Sequence, residues 1–93
     1  MIRHVVIAPG AQKDLRQLPR RIAEKLYAWV DGVERVGLEE MRKIPSYHDE
    51  MLKGKRKGQR SIRLSLHYRA MYEIRDDGSI AFVSIREVNK HEY

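Results

Sequence analysis

With 93 residues the chain has room for one domain, and its balance of 42% hydrophobic to 34% charged residues is globular rather than disordered. No run approaches the roughly 20 apolar residues of a membrane span, and the absence of cysteine excludes disulfides and thiolate zinc sites, so packing must supply the stability. Nineteen Lys and Arg against thirteen Asp and Glu give a formal charge of +6, which favours polyanionic partners through phosphate neutralisation and counterion release.

Residues 2–8, IRHVVIA, are rich in β-branched side chains and stop at Pro9-Gly10, the pattern of a strand ending in a turn. The N-terminal apolar stretch is too short for a secretory signal, so a cytoplasmic location is expected. A short helix is predicted from about Ala11 to Gln17. Pro19 suits the first turn of a second helix and Gly37 the residue just past its end. Between them Ile22, Leu26, Trp29, Val30, Val33 and Val36 fall at offsets 0, 4, 7, 8, 11 and 14, an apolar stripe of helical period, and Trp29 is read as core.

GLEEMRKI adds one more short turn of helix before Pro45. PSYHDEMLKGKRKGQ has no sustained period and reads as a surface loop. From Arg60 the period changes to two: in SIRLSL, residues 61–66, Ile62, Leu64 and Leu66 share one face. YRAMYEI, residues 68–74, follows with room only for a tight reversal at His67. Asp77-Gly78 marks a hairpin, and IAFVSIREV, residues 80–88, is the last strand. The expected fold is α+β: an N-terminal strand, a helical hairpin, then an antiparallel β-meander, with the helices packed on one sheet face. If Ala70 and Tyr72 face the helices, Arg69 points into the open face beside Met71, unless a bulge inverts the alternation.

Four residues distant in sequence can meet on that face: Glu50 at the loop entrance, Arg69 within the meander, and His91 and Tyr93 past the last strand. Metal-free RNA cleavage requires a base for the 2′-OH, a cation for the phosphorane and an acid for the departing 5′ oxygen, which a carboxylate, a guanidinium and an imidazole supply. Tyr93 could stack on a base. Between Met51 and Tyr72 there are seven cationic residues and no carboxylate; Lys53, Lys55, Arg56, Lys57, Arg60 and Arg63 are the candidate RNA contacts. Plainer readings stand beside these: a solvated loop carboxylate, an Arg69 salt bridge with Glu73 or Glu87, a frayed HEY end, a solvated GKRKGQR loop. No metal or cofactor is expected, because three adjacent loop residues such as His48, Asp49 and Glu50 seldom converge on one ion.

The stretch HDEMLKGKRKGQRSIRLSLHYRAMYEI, with the last strand and VNKHEY, resembles the RelE/ParE superfamily of type II toxin–antitoxin toxins, most of all its RelE, HigB and YoeB mRNA interferases. The resemblance rests on Glu50 to Gly54, on Tyr68-Arg69 before an apolar strand, and on the histidine-tyrosine end. It implies that Arg69 stabilises the scissile phosphate, that Glu50 is the general base, and that His91 and Tyr93 are the acid and a nucleotide-placing tyrosine. It also implies a ribosome-dependent endoribonuclease that leaves a 2′,3′-cyclic phosphate and a 5′-hydroxyl, with mRNA, ribosomal RNA and a cognate antitoxin as partners. Glu92 separates His91 from Tyr93 where YoeB-like members have the pair adjacent, which leaves open which of the two is the acid. The alternatives are a ParE-like toxin that binds gyrase and cleaves nothing, and an inactive RNA-binding homologue.

Overall fold

A computed structural model describes residues 1–90; His91, Glu92 and Tyr93 lie outside the described residues. Strand β1 (His4–Ile7) leads into α1 (Pro9–Leu15), which starts two residues earlier than predicted because Pro9 itself fills the first helical turn. Helix α2 (Arg20–Val36) is capped by Pro19 and ends at Gly37, whose φ of 93° few other residues adopt. Ile22, Leu26, Trp29 and Val33 of its stripe are buried, whereas Val36 in the last turn stays 43% exposed. Helix α3 (Leu38–Arg42) follows directly.

The predicted loop is more ordered than its sequence suggests. It contains a 3-10 turn at Pro45–Tyr47, a two-residue strand β2 (Glu50–Met51) and a second 3-10 turn at Gly54–Arg56. Then come β3 (Gln59–Arg63), β4 (Tyr68–Asp76) and β5 (Ala81–Lys90). The expected strand 61–66 therefore starts earlier and ends at Arg63. Reversing the chain into β4 takes more than His67: Leu64 and Ser65 both donate their N–H to Tyr68 O, at 2.9 and 3.3 Å, and Leu66 is left 61% exposed.

The sheet order is β1-β5-β4-β3-β2, with β1 parallel to β5 and the other pairs antiparallel. One face carries the core: Leu26, Trp29 and Val33 pack with Ile62, Ala70, Tyr72, Val83 and Ile85. The Trp29 and Tyr72 rings lie 5.1 Å apart at 45°, an arrangement aromatic pairs favour. On β5 a bulge at Arg86 sets Met71 opposite Glu87 but Tyr72 opposite Ile85. That extra residue changes the parity of β5, so Glu87 and Asn89 share the open face with Ser84 and Phe82.

Candidate active site

Pairing register settles which side chains share the open face. Ala70 and Tyr72 belong to the core, so Arg69 and Met71 point away from the helices, as alternation predicted. Arg69 is opposite Arg63 on β3 and Asn89 on β5, and Met71 is opposite Ser61, which in turn is opposite Glu50 on β2. Glu50 thus sits on an edge strand, not in a loop. It leans across the small, buried Ser61 and accepts a hydrogen bond from Arg69 Nη1 at 3.0 Å on Oε1. This partner differs from both carboxylates the plainer reading offered: Glu87 binds Arg56 at 2.7 Å, and Glu73 lies near Arg75 and Arg86.

Beside this pair lies a pocket of about 470 Å³, lined by Leu52, Arg56, Ser61, Arg69, Met71, Asn89 and Lys90. Two arginines directly opposite on neighbouring strands repel, and Glu50 balances only Arg69. Arg63 forms no ion pair among the described residues, and its Nε is buried without a hydrogen-bond partner there. The result is uncompensated positive charge beside a carboxylate, which suits a phosphate with a hydroxyl next to it.

The candidate RNA contacts divide into groups. Lys53, Lys55 and Lys57 are exposed on the loop between β2 and β3. Arg56 stands at the pocket, where its bond to Glu87 strengthens its hold on its proton against the opposing effect of burial. Arg60 is not with them. It is the cross-strand partner of Tyr72 on the helix-facing side, its side chain 16% exposed and its Nε 2.6 Å from Asp49. Period-two alternation from Arg63, on the open face, already required a residue three positions away to face the other side.

The adjacent His48, Asp49 and Glu50 also diverge. His48 takes a left-handed conformation at φ 45° and brings Nε2 to 3.5 Å from Glu50 Oε2. Asp49 turns inward, only 1% exposed, and accepts hydrogen bonds from Arg60 Nε at 2.6 Å and Tyr72 O–H at 2.5 Å. Burial, followed by the bond to Asp49, pushes the Tyr72 phenol well above the ordinary tyrosine range, so it remains a donor at any physiological pH.

Sequence reasoning missed Asp49 and Tyr72 as a pair, as it missed Asn89, whose amide donates to Glu87 at 2.6 Å, and Lys90 at the pocket rim. The alternation of β5 would have found Asn89 had the bulge been foreseen. His91 and Tyr93 lie outside the described residues, and the last described residue, Lys90, lines the pocket.

Residues 5–90 match the family described as ParE toxin of type II toxin-antitoxin system, parDE. Among solved structures, the fold is similar to YafQ from E. coli strain BL21(DE3), with a TM-score of 0.72 at 16% identity over 92% of this chain and 90% of that one. It is also similar to a YoeB/ParE toxin from Agrobacterium tumefaciens, with a TM-score of 0.69 at 20% identity over 96% and 99%. A third likeness is to the toxin–antitoxin complex RelBE2 from Mycobacterium tuberculosis, with a TM-score of 0.66 at 24% identity over 95% and 96%. No curated protein sequence matches. At these identities the structural likenesses establish the α+β fold of RelE and YoeB toxins and nothing finer.

Proposed function

Because this chain belongs to the ParE toxin family of type II toxin–antitoxin systems, within the RelE/ParE superfamily, we propose that it acts as a ribosome-dependent endoribonuclease. The observation that carries this reading is the Glu50–Arg69 pair on the open sheet face, beside Arg63 and a concave pocket of about 470 Å³. A bound phosphate competes with Glu50 for Arg69, and the carboxylate it releases is then adjacent to the 2′-OH. Glu50 takes that proton, the 2′ oxygen bonds to phosphorus, and the bond to the 5′ oxygen breaks. Arg69 and Arg63 neutralise the charge that develops on the phosphorane. His91 gives its proton to the departing 5′ oxygen, leaving a 2′,3′-cyclic phosphate and a 5′-hydroxyl. The resemblance of the histidine-tyrosine end to the interferases supports this role for His91.

Lys53, Lys55 and Lys57, with Arg56, hold mRNA and ribosomal RNA by phosphate contact, and Tyr93 places the nucleotide by stacking. The ribosome supplies substrate alignment, so the isolated protein cleaves free RNA poorly. A cognate antitoxin that covers the basic surface completes the reading, as does a cytoplasmic site of action. The family description favours a second reading, a ParE-like toxin that inhibits gyrase and cuts no RNA. One experiment separates the two. Induction in cells with mapping of mRNA 5′ ends should give cuts within translated codons that vanish in Arg69→Ala and Glu50→Gln. Growth arrest with intact messages and damaged DNA supports the gyrase reading instead.

A further inference from the structure

The strand that carries Glu50 has little to hold it. β2 is two residues long, it is an edge strand, and Met51 is 68% exposed, so no apolar side chain of the strand is buried. Two residues before the strand, His48 is a non-glycine in the left-handed region, an unfavourable conformation that something else must compensate. Of the side chains at 48–51 only that of Asp49 is buried, with its carboxylate inside the protein between Arg60 and Tyr72. The anchor reaches deep: Arg60 and Tyr72 are cross-strand partners, and the Tyr72 ring packs on Trp29 in the centre of the core. Because successive side chains alternate, drawing Asp49 inward turns Glu50 outward, toward Arg69. A slip of one residue would exchange the two carboxylates between the faces.

We infer that Asp49, held by Arg60 and Tyr72, is the positioning group for Glu50, so that a buried triad on the helix side of the sheet governs chemistry on the opposite side. The inference rests on reading Glu50 as the base. Tyr72→Phe is the cleanest probe, since it removes one hydroxyl and leaves the ring on Trp29. Asp49→Asn keeps the shape and removes the charge.

The test measures single-turnover cleavage of a ribosome-bound transcript by Tyr72→Phe and Asp49→Asn, each alone and combined with Glu50→Gln. Amide exchange at Leu52, whose N–H donates to Gln59 O at 2.9 Å, reports on β2 pairing in the same proteins. Expected are a maximal rate about tenfold lower in each single variant, an unchanged ribosome concentration at half-maximal rate, and faster Leu52 exchange with α2 amides still protected. In the Glu50→Gln background neither substitution should lower the rate further, because the route through Glu50 is already closed. Wild-type rates in both single variants, or losses that multiply with that of Glu50→Gln, overturn the positioning role alone. A Glu50→Gln protein as active as wild type overturns the reading of the base, and this inference with it.

Discussion

Arg69 Nη1 donates to Glu50 Oε1 at 3.0 Å, joining β4 to β2 across the intervening β3, whose Ser61 leaves room for the two side chains to meet above it. Arg69 is 19% and Glu50 43% exposed, so water screens the pair in part and its contribution to stability is about 1 kcal/mol. Its geometry therefore matters more to chemistry than to folding. Arg69→Ala is expected to cut ribosome-bound transcripts about 100- to 1000-fold more slowly, the usual loss when an oxyanion-stabilising group is removed, with little change in Tm. Arg69→Lys should restore only a small part of the rate, because an ammonium cannot donate two parallel bonds to phosphate oxygens. A Lys variant at wild-type rate would reduce Arg69 to a source of charge.

A second long-range contact holds the other wall of the pocket. β1 stops at Ile7, so beyond the Arg86 bulge β5 has no strand neighbour on that edge; there Asp14 of α1 accepts a hydrogen bond from Val88 N–H at 2.9 Å. Glu87, Asn89 and Lys90 are within two residues of this contact. Asp14→Ala should destabilise the fold by about 1.5–3 kcal/mol, the range for a hydrogen bond to a charged group, and Asp14→Asn by less, because an acceptor remains. Urea denaturation gives the loss, and amide exchange at Val88 locates it. If Val88 exchanges at the wild-type rate in Asp14→Ala, the side chain is not what pairs this edge.

Much of this architecture was legible in the sequence, and the exceptions have physical causes. The α2 stripe through Ile22, Leu26, Trp29 and Val33 places one side of the sheet correctly, and strand alternation then sends Arg69 to the other. Periodicity reports the facing of residues within an element, but not which elements become neighbours. The parallel pairing of β1 with β5 and the reach of Asp14 to Val88 depend on contacts 74 or more residues apart and leave no local trace. The segment containing His48, Asp49 and Glu50 looked like loop because β2 is two residues long, too short to show a period. Its order comes from a buried carboxylate whose partners, Arg60 and Tyr72, each read plausibly as something else: a phosphate contact and a packing aromatic.

Gly37 offers a test of backbone rather than side-chain physics. At φ 93° and ψ 154° it occupies a region essentially confined to glycine, and an added Cβ would also meet the side chain of Met1. The conformation is needed because Gly37 both ends α2, donating to Val33 O at 2.9 Å, and starts α3, whose Leu38 N–H donates to Ile2 O at 2.8 Å. Gly37→Ala should cost about 1–3 kcal/mol. In a domain of this size each kcal/mol lowers Tm by about 4–8 °C. Cleavage per folded molecule should be unchanged, since the site lies on the opposite face of the sheet. A variant that melts at the wild-type temperature would mean that the helix junction relaxes to a conformation alanine can adopt.

The hairpin between β4 and β5 carries a titration that can be read directly. Its loop is Asp77–Ile80, at the hairpin the Asp77-Gly78 pair marked, and Asp77 Oδ1 collects the Ile80 N–H, the Ser79 N–H and the Ser79 hydroxyl at 2.8–3.0 Å. These donors, with Ile80 the strongest, favour the carboxylate and hold its pKa at about 2 against an ordinary 3.8. A group whose pKa is lower in the folded state stabilises that state while it is ionised. The contribution of Asp77 is therefore complete above the unfolded pKa near 4 and disappears as pH falls through about 2. Carbon-detected NMR titration should find the Asp77 carboxyl still ionised at pH 3. Thermal melts of wild type and Asp77→Asn should differ by a constant amount above pH 4, and by a shrinking amount from there to pH 2. A midpoint near 3.8 would show that the loop donors are satisfied by water instead, and the pH-dependent part of the difference would then be absent.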